Sequence, residues 1–352
     1  MVDWRASMTQ TYEFYVVDPH TWRDKELLDT IKSCTVNRDL SNDSLGSATI
    51  ESTDVLGECY VRVYLVAIQN GVKTRVPLGT FLVQTPSIRH DGKVRSVSMD
   101  GYTPLIELKG SSPPVGYSLL KNQTVMSAAS RLCEENLRAP VIAIDTDKTL
   151  ESDFTSNVND TWMSFLKDLI SVDKYQFGLD EMGRVIFEPV LDVRSLSPVW
   201  TYSDDETSIL CADFEDEGDL YSIPNVVEVV YSTGIGHRFS RIVNDDPNSP
   251  VSTVNRGREV LYRDSNPNFS GIPSQRDLDE YAKQLLRNLS SLDHSVTYTH
   301  GYCPVRVGDC VLLNNKRLGL VNVKAKVISQ SIRCESGCQV EETAVYTTKL
   351  WG

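Results

Sequence analysis

His300, Cys303, Cys310, Cys334 and Cys338 gather near the end of this 352-residue chain. An imidazole beside several thiolates is the donor set of a zinc site. The spacings of the set as a whole are wrong for the usual zinc fingers and ribbons, and none of the eight cysteines forms a Cys-x-x-Cys pair. Cys338 also opens a strand-like run. These four, with Cys34, Cys59, Cys133 and Cys211, are read as reduced thiols serving mostly as small core hydrophobes. No metal and no cofactor is expected.

Other residues invite chemistry too. Asp204-Asp205-Glu206 and Glu215-Asp216-Glu217 offer the carboxylates of glycoside hydrolysis. That reaction holds two carboxyls about 5–10 Å apart in a cleft, one with its pKa raised by burial, and a solvated acidic run gives the opposite surroundings. Gly234-Ile235-Gly236 looks like a dinucleotide loop, but the third glycine and the following helix are lacking. No Gly-x-Ser-x-Gly elbow occurs, and the five histidines lie in unrelated contexts. His300 alternates with Tyr298 and Tyr302 and is read as decorating a strand face. No catalytic residue is assigned, and the chain is read as not an enzyme.

Charge is the stronger signal. Asp and Glu number 48 against 35 Lys and Arg, a formal net charge of −13. That balance argues against wrapping nucleic acid, whose affinity comes from cations neutralising phosphates. Ser195 to His237 contains no Lys or Arg, but holds Asp204, Asp205, Glu206, Asp213, Glu215, Asp216, Glu217, Asp219 and Glu228. A solvated surface is the plain reading of this stretch. Calcium binding is another, since oxygen ligands are plentiful, although no EF-hand loop of about 12 residues is present. No window of roughly 18 apolar residues exists, so no membrane span is expected. Met1 to Tyr12 lacks the apolar region of a secretory signal, so synthesis in a cytoplasm is expected.

The elements that must hold these residues are mostly strands. Tyr12 to Asp18, Cys34 to Leu40 and Ala48 to Ser52 have strand texture, while Asp24 to Lys32 reads as a brief helix or loop. Tyr60 to Ile68 is the strongest strand of the first hundred residues, rich in β-branched and aromatic side chains. Asn70-Gly71 follows it as a type I′ hairpin signal, with a short return strand closing at Pro77. Phe81 to Thr85 and Val94 to Met99 pair across His90-Asp91-Gly92. Residues 1–112 thus form a small barrel or sandwich. After Pro113-Pro114, apolar residues from Val125 to Leu137 and from Trp162 to Ile170 recur at helical spacing, the second run capped at Asn159 or Asp160. A hairpin follows around Asp180-Glu181-Met182-Gly183, so 113–194 is an α+β unit. In 195–352, Asn225 to Tyr231 is a strand and Asn244 to Ile272 a long surface loop. A helix from Ser274, with Asp277 completing a capping box, carries an apolar face from Leu278 to Leu292. Strands then return at Val296 to Tyr302, Cys310 to Leu313, Leu320 to Cys334 and Val340 to Thr347. The fold class is mainly β with α+β insertions.

Three stretches resemble the hub proteins of phage tails, the family of the central baseplate hub of contractile-tailed phages and of tail-associated proteins at siphophage tips. The first is Cys34-Thr35-Val36-Asn37-Arg38-Asp39-Leu40 through Ser47-Ala48-Thr49-Ile50, with the Tyr60 strand and Val76-Pro77-Leu78-Gly79-Thr80-Phe81. The second is Ile223-Pro224-Asn225-Val226-Val227. The third is the helix from Asp277 with Tyr302-Cys303-Pro304-Val305-Arg306-Val307-Gly308-Asp309-Cys310-Val311-Leu312-Leu313. Together they span most of residues 12–348.

The resemblance implies two tube-like antiparallel β-barrels per chain flanking the α+β unit, and a homotrimer that places six barrels around one axis to meet a hexameric tail tube. It implies residence in the virion at the tail tip or baseplate. Its implied partners are the distal tail or tube protein, the tape measure protein, and spike or fibre proteins, with DNA passing through without specific binding. In that setting the acidic stretch gains a further reading, as a lumen wall that repels DNA phosphates. Unlike many siphophage relatives, the chain stops at Gly352 without a receptor-binding or wall-degrading extension, so other chains are expected to supply those functions. The rival readings are a hexameric distal tail ring, a carbohydrate- or receptor-binding adsorption module using Tyr298, Tyr302 and Trp351, and a peptidoglycan-cleaving tail enzyme.

Overall fold

The computed structural model describes residues 2–90, 92, 95–206, 208–233, 236–265, 267, 269 and 272–351. Asp91 of the His90-Asp91-Gly92 turn, and Gly234 and Ile235 of the glycine-rich stretch, lie outside them. Of the described residues 46% are strand and 15% helix, so the fold is mainly β with helices inserted, as its composition of elements predicts.

The first stretch consists of β1 (Thr9–Val17), β2 (Asp24–Leu27), β3 (Ile31–Asp39), β4 (Gly46–Ser52), β5 (Cys59–Gln69), β6 (Val72–His90) and β7 (Arg95–Tyr102). β5 pairs with β1 on one side and β6 on the other, and its near-continuous apolar run is buried on both faces. Val61, Val63 and Leu65 join a core with Val36, Ile50, Phe81 and Met99. Tyr60 turns the other way, toward Trp22 and Leu82. Asn70 and Gly71 both have positive φ, 52° and 77°, which a type I′ turn requires.

Two readings need correction here. Asp24 to Lys32 is no helix: β2 adds to the edge of β1. The return strand does not stop at Pro77 either, since β6 runs 19 residues. Its register slips beside Pro77 and again beside Pro86, so each proline, lacking an N–H, sits at a bulge where no ladder bond is lost.

Next come α1 (Ile106–Lys109), β8 (Ser118–Leu119), α2 (Val125–Asn136), β9 (Phe154–Thr155), α3 (Trp162–Ser171), β10 (Tyr175–Leu179) and β11 (Val185–Pro189). The apolar faces of α2 and α3 meet the β10–β11 hairpin in one core, including Met126, Leu132, Phe165, Leu169, Phe177 and Phe187. The cap of α3 is Thr161, in a reciprocal box with Ser164. Asp160 instead accepts from the N–H of Asn157 at 2.7 Å and closes the preceding turn.

The remainder holds β12 (Trp200–Ser203), β13 (Leu210–Gly218), β14 (Val226–Thr233), β15 (Gly236–Val243), α4 (Thr253–Arg256), β16 (Leu261–Asp264), α5 (Gln275–Leu289), β17 (Ser291–Gly301), β18 (Cys310–Asn315), β19 (Leu320–Arg333) and β20 (Gln339–Lys349). Asn244 to Ile272 is therefore not all loop. β16 lies in it and pairs in parallel with β14, and a parallel partner leaves no hairpin signal in sequence. The capping box of Ser274 and Asp277 forms as expected, but Leu292 belongs to β17 rather than to the helix.

Backbone contacts divide the chain into two compact units, Met1–Asp213 with Tyr298–Thr343, and Phe214–Thr297 with Ala344–Gly352. In the first, the main sheet runs β20-β19-β3-β4-β7-β6-β5-β1-β2, and β12 joins through β18 to β19. The β3–β19 ladder, from Thr35↔Arg333 to Asp39↔Ser329, bonds the first β-rich stretch to the last. Among the described residues, no pair closes this path into a ring. In the second unit, Leu278, Ala282 and Leu286 of α5 pack on Val227 and Val229 of the β15-β14-β16 sheet.

Candidate functional site

The acid-rich stretch is split between a turn and a strand. Asp204, Asp205 and Glu206 follow β12 and are exposed, with the Asp204 carboxylate accepting the Lys316 N–H at 3.1 Å. Asp213, Glu215, Asp216 and Glu217 lie on β13, where strand alternation sends Asp213, Glu215 and Glu217 to one face and Asp216 to the other. Asp216 is internally engaged: His294 Nδ1 donates to it at 2.9 Å and the Tyr346 hydroxyl at 2.9 Å. The His294 and Tyr346 rings stack with centroids 4.4 Å apart. Burial, then the hydrogen bond to Asp216 and its charge, pushes the Tyr346 hydroxyl pKa up. Asp219 accepts the Tyr221 N–H at 2.7 Å, and Glu228 pairs with Arg263 at 2.6 Å and Arg241 at 3.5 Å. Glu206, Asp213, Glu215 and Glu217 present exposed carboxylates.

The residues read for metal chemistry do not assemble into a ligand set among the described residues. Cys303 lies near His300, Sγ to Nδ1 3.9 Å. Cys310 faces its neighbour's carbonyl, and Cys334 and Cys338 are buried with Cys34 in the first core. The thiols are free, and most are buried, with Cys211 exposed.

His300 lies on a strand, as its alternation predicts, but on a face with no solvent exposure. It belongs to a polar network centred on Glu342, itself 0% exposed. Tyr298 donates to Glu342 Oε1 at 2.5 Å and Gln330 Nε2 to Oε2 at 2.6 Å. His300 Nε2 lies 3.5 Å from Oε2 and 3.0 Å from the Tyr202 hydroxyl. That hydroxyl also lies 3.2 Å from Cys303 Sγ. His300 Nδ1 faces the Gly301 carbonyl at 2.7 Å and so must carry a proton. At Nε2 the Tyr202 hydroxyl can donate to a neutral ring, or its oxygen and the Glu342 carboxylate can accept from an imidazolium. Burial opposes that charge, but hydrogen bonds to Cys303 and Glu342 and the Glu342 charge outweigh it and push the His300 pKa up to about 10. Glu342 carried a signal that sequence reading missed: Val340, Glu342, Ala344 and Tyr346 all occupy the buried register of β20.

A second constellation grips the β10–β11 turn. Arg306 holds Glu181 bidentately at 2.6 and 2.7 Å, with Arg38 at 3.8 Å. The Met182 carbonyl accepts from Trp22 Nε1 at 2.8 Å and Arg62 Nη2 at 3.1 Å. Arg62, 1% exposed, also donates to Thr80 at 2.9 Å and Asp24 at 2.7 Å, so every charge here is partnered as burial demands. A cavity of about 70 Å³ beside the turn is walled by Arg38, Leu78, Phe81, Leu179, Glu188 and Arg306 among others. An adjoining one of about 190 Å³ adds Asp309 and Lys326. Neither is lined by a His, Cys or Ser. Burial raises the pKa of Glu188 and of Asp309.

The aromatic platform proposed for glycan binding does not form, because Tyr298 and Tyr302 are 1% and 6% exposed, and Trp351 packs partly against the α5 core. Among the described residues, the exposed aromatics are instead Tyr221, Phe239 and Tyr262, with Tyr221 under the guanidinium of Arg258.

No protein-family model matches the chain, and no curated protein matches it by sequence. Solved structures do. A tail protein from Neisseria meningitidis MC58 superposes with a TM-score of 0.63 at 14% identity, covering 96% of this chain and 97% of that one. The 43 kDa tail protein of prophage MuSo2 from Shewanella oneidensis gives 0.61 at 12% identity, over 95% and 98%. The fold is that of phage tail proteins. Prophage tail protein gp18 from Listeria monocytogenes EGD-e is a further match, with a TM-score of 0.51 at 12% identity over 95% of this chain and 94% of that one. Within this tail-protein fold, the three resembling stretches fall on β3 to β6, on the start of β14, and on α5 with the turn into β18.

Proposed function

We propose that this chain is a structural component of a phage tail, a hub at the tip or baseplate. It assembles as a homotrimer that adapts a hexameric tail tube to the tip and surrounds the DNA conduit. The observation that carries the reading is likeness to tail proteins over nearly the full length of both chains: the whole chain, rather than one embedded domain, has this form. Its role is then mechanical, and residence in the virion follows. The distal tail or tube protein, the tape measure protein, and spike or fibre proteins are its neighbours. The exposed carboxylates Glu206, Asp213, Glu215 and Glu217, with Asp204, Asp205, Asp216 and Asp219 of the same stretch, line the conduit or its mouth. There a negative wall lets DNA pass without arrest. The buried network around Glu342 and the grip on the β10–β11 turn fit a part that transmits force, since both fix elements distant in sequence. Antibodies raised against the chain test this on intact virions by electron microscopy. Label confined to the distal end of the tail is the expected result, and label on the head or along the whole tail would overturn it.

A further inference from the structure

Cys34 and Cys334 lie 300 positions apart yet face each other across the β3–β19 ladder. The register that pairs Thr35 with Arg333 continues by one step, and the Cys334 N–H donates to the Cys34 carbonyl at 2.8 Å. They are therefore a directly opposed antiparallel pair of the hydrogen-bonded kind, for which Cα atoms stand about 5.5 Å apart. That separation lies within the roughly 4.4–6.8 Å that a disulfide spans. Bonding the sulfurs draws the Cβ atoms in from about 5.5 Å to the roughly 3.5–4.5 Å of a disulfide, a movement that the end of a ladder allows. Opposed residues also send their side chains to the same face, and both thiols sit in one core, 3% and 7% exposed. Cys334 is placed just beyond the last residue of β19, at the end of the ladder.

We propose that Cys34 and Cys334 form a disulfide when the protein meets an oxidising milieu, stapling the first β-rich stretch to the last. A small-molecule disulfide serves as oxidant. The Cys334 thiolate attacks one of its sulfurs, forming a mixed disulfide and expelling one thiolate. Cys34 then attacks the Cys334 sulfur, forms the protein S–S bond and expels the second thiolate. The two protons lost by the cysteines end on the two released thiols, and the oxidant takes up the two electrons. The hydrogen bond to Cys34, and then burial, hold the Cys334 thiol well above its usual pKa. The pair therefore oxidises slowly, while a reducing cytoplasm keeps thiols reduced in any case. The inference does not depend on the tail reading.

Prolonged incubation of the full chain with oxidised glutathione, followed by thiol titration in denaturant and non-reducing peptide mapping, tests it. The expected result is a fall from eight titratable thiols to six, and one linked peptide pair carrying Cys34 and Cys334. Oxidation should also raise Tm, because cross-linking so long a loop constrains the unfolded chain strongly. Cys338→Ser should leave the linked pair intact, whereas Cys34→Ala should abolish it. Eight thiols remaining, or a link joining Cys334 to Cys338 instead, would overturn the proposal.

Discussion

Glu342 and His300 bear a fully buried charge pair, and the physics of such pairs sets the first expectations. Removing one partner strands the other in a low dielectric, so Glu342→Ala should cost about 3–5 kcal/mol in urea unfolding. A loss below about 1 kcal/mol would mean that the network is not closed as drawn. Its hydrogen bonds and the Glu342 charge push the His300 pKa up to about 10 in the folded chain, from an ordinary 6.5. A raised folded pKa stabilises the native state while the proton is held. The contribution is therefore fully present below pH 6.5 and fades as pH climbs through 10. Wild-type protein should lose urea resistance over that window relative to His300→Gln; parallel pH profiles would contradict the assignment. The exposed acids belong to this scale as well. Changing Glu206, Asp213, Glu215 and Glu217 to Ser should slow DNA ejection from virions carrying the variant, and unchanged kinetics would remove the conduit role.

The grip on the β10–β11 hairpin depends on one backbone position. Gly183 has φ +73°, and a Cβ there would come within 2.7 Å of the Thr80 side chain. Gly183→Ala should destabilise by about 1–3 kcal/mol and speed amide exchange across Tyr175–Pro189 selectively. Uniform exchange with unaltered stability would show that the hairpin is not held there. At this scale the sequence was legible wherever a signal is local. The Tyr60 strand, the Asn70-Gly71 turn, the α2, α3 and α5 stripes and the Ser274–Asp277 box all depend on residues within a turn or two of each other. Partners chosen at a distance were not legible: β16 beside β14, β19 beside β3, and β13, whose acidic residues mask strand character until β17 pairs with it. Glu342 and Glu181 escaped notice because each is defined by partners more than ten residues away in sequence. The acid-rich stretch was legible as composition, but its division into engaged Asp216 and exposed Glu215 and Glu217 follows from strand alternation and from His294 and Tyr346.

At the scale of the whole molecule, two β-rich stretches share one sheet path, an α+β module docks through its hairpin turn, and the fold matches tail proteins end to end. Exposed strand edges such as β2 are a liability in an isolated chain and an asset in a ring, where a neighbour can cover them. Assembly is therefore the central claim. Light scattering behind size exclusion, on the protein alone and mixed with its tail-tube neighbour, tests it most directly. The account predicts three copies per particle: about 118 kDa, three times the 39.4 kDa chain, for the protein alone, or that mass plus the bound neighbour's once the neighbour is present. A hexamer would instead indicate a distal tail ring, and a monomer indifferent to every tail partner would contradict the hub.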